Sequence, residues 1–164
     1  MIVMLMGVSG SGKTTVGRAL ASELGWPFID ADSLHPQQNV AKMASGIPLT
    51  DEDRWPWFDR IVAEMQRYDA AGRHLVMACS ALKQAYRDRL ANGGPVRFVY
   101  LQGDAATIAP RLAGRAGHFM PPALLASQFA TLEEPYDAIV IDITQPVAAQ
   151  VAAISRALRE ELHA

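Results

Sequence analysis

Five short apolar runs punctuate the chain, at residues 2–6, 28–30, 74–78, 96–101 and 138–141. Most are continuously apolar and not alternating, the pattern of strands covered on both faces of a parallel sheet. Between them, apolar residues recur at helical spacing. Val16, Leu20 and Leu24 are spaced by four, with Gly25 as a C-cap. Trp57, Ile61, Met65 and Tyr68 mark a second helix, with Pro56 near its first turn, where proline is tolerated. Residues 83–90 predict a third helix, ending before Asn92-Gly93-Gly94, and residues 104–112 a fourth. A fifth spans 124–132, opened by Pro121-Pro122, and Val147, Val151, Ile154 and Leu158 share one face of a last helix. The alternation predicts an α/β domain, a five-stranded parallel sheet flanked by helices with right-handed crossovers. Ligands bind such sheets beyond the carboxyl ends of the strands. The segments to inspect are therefore 7–14, 30–35, 79–83, 103–104 and 142–146.

Composition narrows the class. The chain has 164 residues, 50% hydrophobic and 20% charged, which is globular and fits one domain spanning 1–164. Lys and Arg total 15 against 17 Asp and Glu, a net charge of −2, which argues against a broadly basic nucleic-acid surface. The single cysteine, Cys79, has no internal disulfide partner and reads as a small core thiol. No apolar run approaches the roughly 18 residues of a membrane span, and the opening Met1-Ile2-Val3-Met4-Leu5-Met6 is too short for a signal core. A soluble intracellular domain is the expectation.

Gly7-Val8-Ser9-Gly10-Ser11-Gly12-Lys13-Thr14 matches G-x-x-x-x-G-K-[ST] between an apolar strand and an amphipathic helix, the context that gives the motif meaning. Glycines let the backbone turn tightly and aim N–H groups at phosphate oxygens, and the helix N-terminus adds partial positive charge. Lys13 reaches the β- and γ-phosphates of ATP, and the Thr14 hydroxyl can ligate Mg²⁺. Gly7, Ser9, Gly10, Ser11, Gly12, Lys13, Thr14 and Thr15 are the candidate nucleotide-binding residues. No Asn-Lys-x-Asp guanine-specificity motif is present, and an AAA-type motor would be larger, so the size points to a kinase of small molecules.

On the acceptor side, Asp30 and Asp32 stand two apart at the end of the second strand. One carboxylate can hold the metal's water shell while the other takes a hydroxyl proton. The third strand looks like a Walker B strand that ends in Cys79-Ser80 without an acid, which strengthens that role for the Asp pair. Asp142, on the last strand, is expected toward the nucleotide base or as a loop cap. His35, Lys42, Asp51, Asp53 and Arg54 form a polar run, of which Lys42, Asp51 and Glu52 read as a solvated face. Lys83 and Arg87, four apart on one helix face, can converge on an anionic acceptor. Trp55 and Trp57 read as packing residues. Arg111, Arg115 and His118 surround Gly114 and Gly117, which suggests a mobile lid at about 114–120 closing on phosphate.

Together these pieces resemble the gluconate kinases. The specific stretches are Asp30-Ala31-Asp32-Ser33-Leu34-His35-Pro36 and the run from Lys42-Met43-Ala44-Ser45-Gly46 through Asp51-Glu52-Asp53-Arg54-Trp55-Pro56-Trp57. Cys79-Ser80-Ala81-Leu82-Lys83, Tyr86-Arg87-Asp88, Arg115-Ala116-Gly117-His118-Phe119-Met120, Ser127-Gln128-Phe129 and Leu132-Glu133-Glu134-Pro135 complete the set. They cover nearly the whole chain; Thr14 stands where serine is also common. The resemblance implies ATP-dependent phosphorylation of D-gluconate at its 6-hydroxyl. It also implies the fold of the nucleoside-monophosphate and shikimate kinases with a lid, a cytoplasmic location and a homodimer. By analogy with shikimate kinase, Asp32 would hold the acceptor hydroxyl, Arg111 would lie against adenine and Arg115 would sit on the lid as a catalytic cation. Asp30, with Thr14, is then the candidate for the metal. His35, Arg54, Lys83, Arg87 and His118 are the candidates for holding the acceptor. Another kinase of this fold, or a nucleotide-binding module without catalysis, are the alternatives. Against shikimate, Cys79-Ser80-Ala81 stands where a glycine triplet is expected.

Overall fold

The computed structural model describes residues 1–113 and 122–164. The expected lid, with Arg115 and His118, lies outside them. Five parallel strands, β1 (Ile2–Met6), β2 (Phe28–Asp30), β3 (Leu75–Ala78), β4 (Val96–Gln102) and β5 (Ile139–Asp142), form one sheet in the order β2-β3-β1-β4-β5. β1 is central and fully buried, as its unbroken apolar sequence requires. Its side chains alternate between two cores. Val3 and Leu5 join Val76, Val99 and Leu101 against Val16, Leu20, Ile154 and Leu158. Ile2, Met4 and Met6 join Leu75 and Met77 against Trp57, Phe58, Ile61 and Met65. Truncating one of these, Phe58 for instance, would cost about 3–5 kcal/mol.

The described residues form seven α-helices: α1 (Lys13–Leu24), α2 (Gln37–Ala44), α3 (Asp51–Ala70), α4 (Gln84–Leu90), α5 (Ala105–Ala113), α6 (Pro122–Thr131) and α7 (Val147–Leu162), with short 3-10 turns at Ala31–Leu34 and Ala91–Gly93. All five strands lie where the sequence pattern puts them, within a residue at the ends, and the last helix carries Val147, Val151, Ile154 and Leu158 as expected and runs on to Leu162. Two helical features differ from expectation. α2 occupies a stretch too polar to show an apolar stripe. α3 begins at Asp51, well before Pro56, which falls in its second turn and not its first. The start is set by a capping box: Thr50 Oγ1 accepts from the Asp53 N–H, and the Asp53 carboxylate accepts from the Thr50 N–H. Asp51, Glu52 and Asp53 then lie at the positive end of the helix dipole. These gains offset the hydrogen bond that Pro56 cannot make.

Candidate active site

The phosphate cradle is backbone held open by glycine. Gly7 has φ +146°, and a Cβ there would sit 2.9 Å from the Leu101 carbonyl oxygen. Gly12, at φ +99°, turns the chain into α1. No side chain caps α1 and no acid lies in its first turn, so its N–H groups and positive end are left for an anion. Ser11 Oγ is buried in the cradle without a partner. Lys13 Nζ folds back onto the Gly7 and Val8 carbonyls, 3.0 Å from each. These features fit a polyphosphate.

Thr14 Oγ1 donates to Asp30 Oδ2 at 3.0 Å, joining the start of α1 to the end of β2. Two hard oxygen ligands side by side fit Mg²⁺, which takes one or two protein ligands and fills the rest from phosphate and water. The other Asp30 oxygen accepts from the Asp32 N–H, so the chain turns and the two carboxylates part. Burial and then the Asp30 charge push the Asp32 carboxyl up, while Lys13 pulls it down. Asp32 shares a cavity of about 310 Å³ with Ser9, Gly10, Lys13, Thr14 and Asp30.

Two further cavities adjoin this one. A cavity of about 470 Å³ lies beyond Gly10, Ser11, Gly12 and Thr15, walled by Arg111 and the loop after β5. Arg111 is held by a 2.7 Å hydrogen bond to the Ile143 carbonyl. Asp142 caps that loop, accepting from the N–H and hydroxyl of Thr144. On the other side, a cavity of about 520 Å³ shares Arg54, Trp57, Ser80 and Gln128 with the phosphate-side cavity and adds Lys83, Tyr86 and Leu124. The three form one trough with the cradle at its centre.

The structure places the expected acceptor residues unequally. His35, Arg54 and Lys83 line the trough. Arg87 does not. It is 2% exposed and donates to the carbonyls of Ala81, Leu82 and Glu133 and to the Gln84 side chain. Its helical spacing from Lys83 is real, but its guanidinium turns under the β3–α4 loop. There Ala81 sits at φ +46°, a left-handed conformation costing a residue with a Cβ roughly 1–2 kcal/mol. Cys79 is buried at the end of β3, and burial pushes its thiol up to about 12, so it is an inert core thiol. Trp57 packs in the core, as expected, and also stacks on His35.

Three participants carried no chemical signal in the sequence. Asp51, in the run read as solvated, accepts from the Tyr86 hydroxyl and pairs with Lys83 at 3.3 Å and Arg54 at 3.7 Å. The Tyr86 hydrogen bond, then Lys83 and Arg54, pull its carboxyl down. Tyr86 and Asp51 push Lys83 up. Lys42, from the same run, is paired with Asp53 at 2.9 Å. Gln128, on α6, receives the Ser9 N–H at Oε1 (2.7 Å) and donates from Nε2 to Ser9 Oγ (3.0 Å), tying the cradle to the acceptor wall.

A parallel sheet of this order, with a P-loop at its centre and carboxylates facing the cradle, defines the class as a P-loop kinase. The comparisons with known proteins go further. A family model described as "AAA domain" matches residues 2–135, from β1 through α6. The chain is 49% identical over 150 residues to the thermosensitive gluconokinase of Escherichia coli (strain K12), covering 88% of this chain and 80% of that protein. The crystal structure of a gluconokinase from Sinorhizobium meliloti 1021 superposes with a TM-score of 0.83 at 45% identity, covering 98% of this chain and 94% of that one. The shikimate kinase of Aquifex aeolicus vf5, at 15% identity and a TM-score of 0.61, shares the fold. The chain belongs to the gluconokinase family and, by the model match, to the P-loop family described as "AAA domain". Among the described residues no helix is long and apolar enough to cross a membrane.

Proposed function

We propose that this protein transfers the γ-phosphoryl group of ATP in line to the 6-hydroxyl of D-gluconate, giving 6-phospho-D-gluconate. The observation that carries this reading is the continuous trough. A cavity with Arg111 lies at one end, the cradle with Lys13 and Asp32 in the middle, and a cavity with Arg54 and Lys83 at the other. An extended anion with a primary hydroxyl at its far end matches the acceptor half in charge order, cations in the outer cavity and a carboxylate beside the cradle. Arg54 and Lys83 hold the carboxylate. Asp32 receives the hydroxyl and its proton, and burial with the Asp30 charge makes its carboxylate a stronger proton acceptor than a free one. Lys13 leaves the Gly7 and Val8 carbonyls for the transferring phosphoryl group. Thr14 and Asp30 would hold Mg²⁺, which would supply neutralisation of phosphate charge there. Arg87 is excluded from the acceptor set and is assigned instead to holding the β3–α4 loop. Arg115 and His118 belong to the reaction on family resemblance alone. The same resemblance supports a lid and a homodimer in the cytoplasm, the length supports one domain, and the net charge of −2 and the lack of a long apolar run argue against nucleic-acid and membrane partners.

The test is a coupled ADP-release assay across sugar acids and glucose. Glucose offers the same primary hydroxyl without the charge. One lost charge-assisted contact of roughly 1.5–3 kcal/mol predicts a drop of about 10- to 150-fold in kcat/KM. Arg54→Gln should raise KM for gluconate and narrow that gap. Equal use of glucose and gluconate by the wild type would overturn the assignment.

A further inference from the structure

Asn39 is fully buried on α2, one turn after His35. Its Nδ2 donates to the Asp53 carbonyl oxygen at 2.9 Å and lies 3.2 Å from His35 Nδ1. A carbonyl oxygen can only accept, so the contact with Asp53 fixes which end of the amide faces the pair. The second hydrogen on the same nitrogen then points at His35 Nδ1. That ring nitrogen must present a lone pair, and in a neutral imidazole the proton is left on Nε2.

The ring has little freedom to escape this arrangement. It stacks on Trp57 with centroids 3.9 Å apart and planes at 17°. Trp57 is itself pinned by a 2.8 Å hydrogen bond from Nε1 to the Ala31 carbonyl. The charged groups around the ring are Arg54, Arg60 and the Lys42-paired Asp53 on α3 and its N-cap region, and Asp32 on the turn before it. Burial, then the Arg54 charge, holds the His35 pKa down to about 4, so the ring keeps the neutral form at neutral pH.

We propose that Asn39 is a positioning residue that fixes His35 as an Nε2–H donor, with which His35 recognises an oxygen atom of the phosphoryl acceptor. The recognised atom is a hydroxyl or carboxylate oxygen. This rests on the reading above that the trough holds a sugar acid. A donor locked in one tautomer rejects a ligand group that also donates, so Asn39 contributes to acceptor choice without touching the acceptor.

The tautomer is read directly from long-range ¹H–¹⁵N correlations of the imidazole in ¹⁵N-labelled protein, with the His35 signals assigned by their loss in His35→Gln. The expected pattern is protonated Nε2 and bare Nδ1. Asn39→Asp, whose carboxylate accepts, should move the proton to Nδ1 or charge the ring. A kinetic pair gives the second readout. Gln places its NH₂ near the former Nε2, whereas Asn places it near the former Nδ1. KM for gluconate should rise about 10-fold more in His35→Asn than in His35→Gln, with kcat changing less. A protonated Nδ1 in the wild type, or equal KM values in the two His35 variants, would overturn the proposal. Both measurements are independent of whether Asn39→Asp folds. A wild type that does not turn over gluconate would reject the proposed function, and the tautomer pattern would still decide whether Asn39 sets the ring.

Discussion

Residues 7–14 make the phosphate cradle in one continuous run, whereas the acceptor half gathers side chains from the turn after β2, α3, the β3–α4 loop and α6. The cradle presents backbone N–H groups and one lysine, so its chemistry depends on glycine conformations and a helix end. The proposed acceptor half presents side chains that hold one another: Asp51 between Lys83 and Arg54, Asn39 against His35, Gln128 across to Ser9. A backbone site is written locally and tolerates varied surroundings. A side-chain site depends on several distant segments arriving together. The cradle should therefore fail through single residues, and the acceptor half through pairs.

The largest expected effect tests the cradle. Lys13→Ala removes the charge on the transferring group and leaves the backbone intact, so kcat should fall by about 10²- to 10³-fold with the fold preserved by circular dichroism. A folded variant with near wild-type turnover would remove Lys13 from the chemistry and break the contrast. Next come the two carboxylates between the halves. Asp32→Asn should lower kcat by about 10²-fold, more than it changes KM for gluconate. Asp30→Asn should act mainly by raising the Mg²⁺ concentration needed for half-maximal rate. The reverse pattern would exchange their roles.

The smallest effect sharpens the acceptor side and is read in stability. The pKa of His35 falls from 6.5 to about 4 on folding, so the unfolded chain takes up a proton first as pH drops. The stabilisation from the neutral ring is complete above pH 6.5 and is lost progressively down to about pH 4. Compared with His35→Gln, the wild type should lose more of its Tm across that window. Parallel Tm curves for the two proteins would show that the ring does not titrate this way.

The cradle, the sheet and the Asp30–Asp32 pair were legible because each is local: a motif, an apolar run, a two-residue spacing. α2 and the first turn of α3 were not, since their polar residues face inward to make the site and leave no apolar stripe. Pro56 misled because proline suggests a first turn, whereas the capping box at Thr50 starts the helix earlier. Arg87 misled because spacing along a helix gives the face but not the depth at which a side chain is buried. Asp51 and Gln128 act through partners far along the chain, Tyr86 and Ser9, which no local pattern announces.

The left-handed Ala81 has a consequence for how this loop can change over evolutionary time. Arg87 satisfies the carbonyls of Ala81 and Leu82 together, so it lets an alanine hold a turn that suits glycine better. Lysine could not replace it, because one ammonium point cannot serve several fixed acceptors as a planar fork does. Positions 81 and 87 thus form one heritable unit. A lineage that acquires glycine at 81 sheds the backbone strain but keeps the need for the arginine at the Leu82 and Glu133 carbonyls, while one that loses the arginine first passes through a loop weakened on both counts.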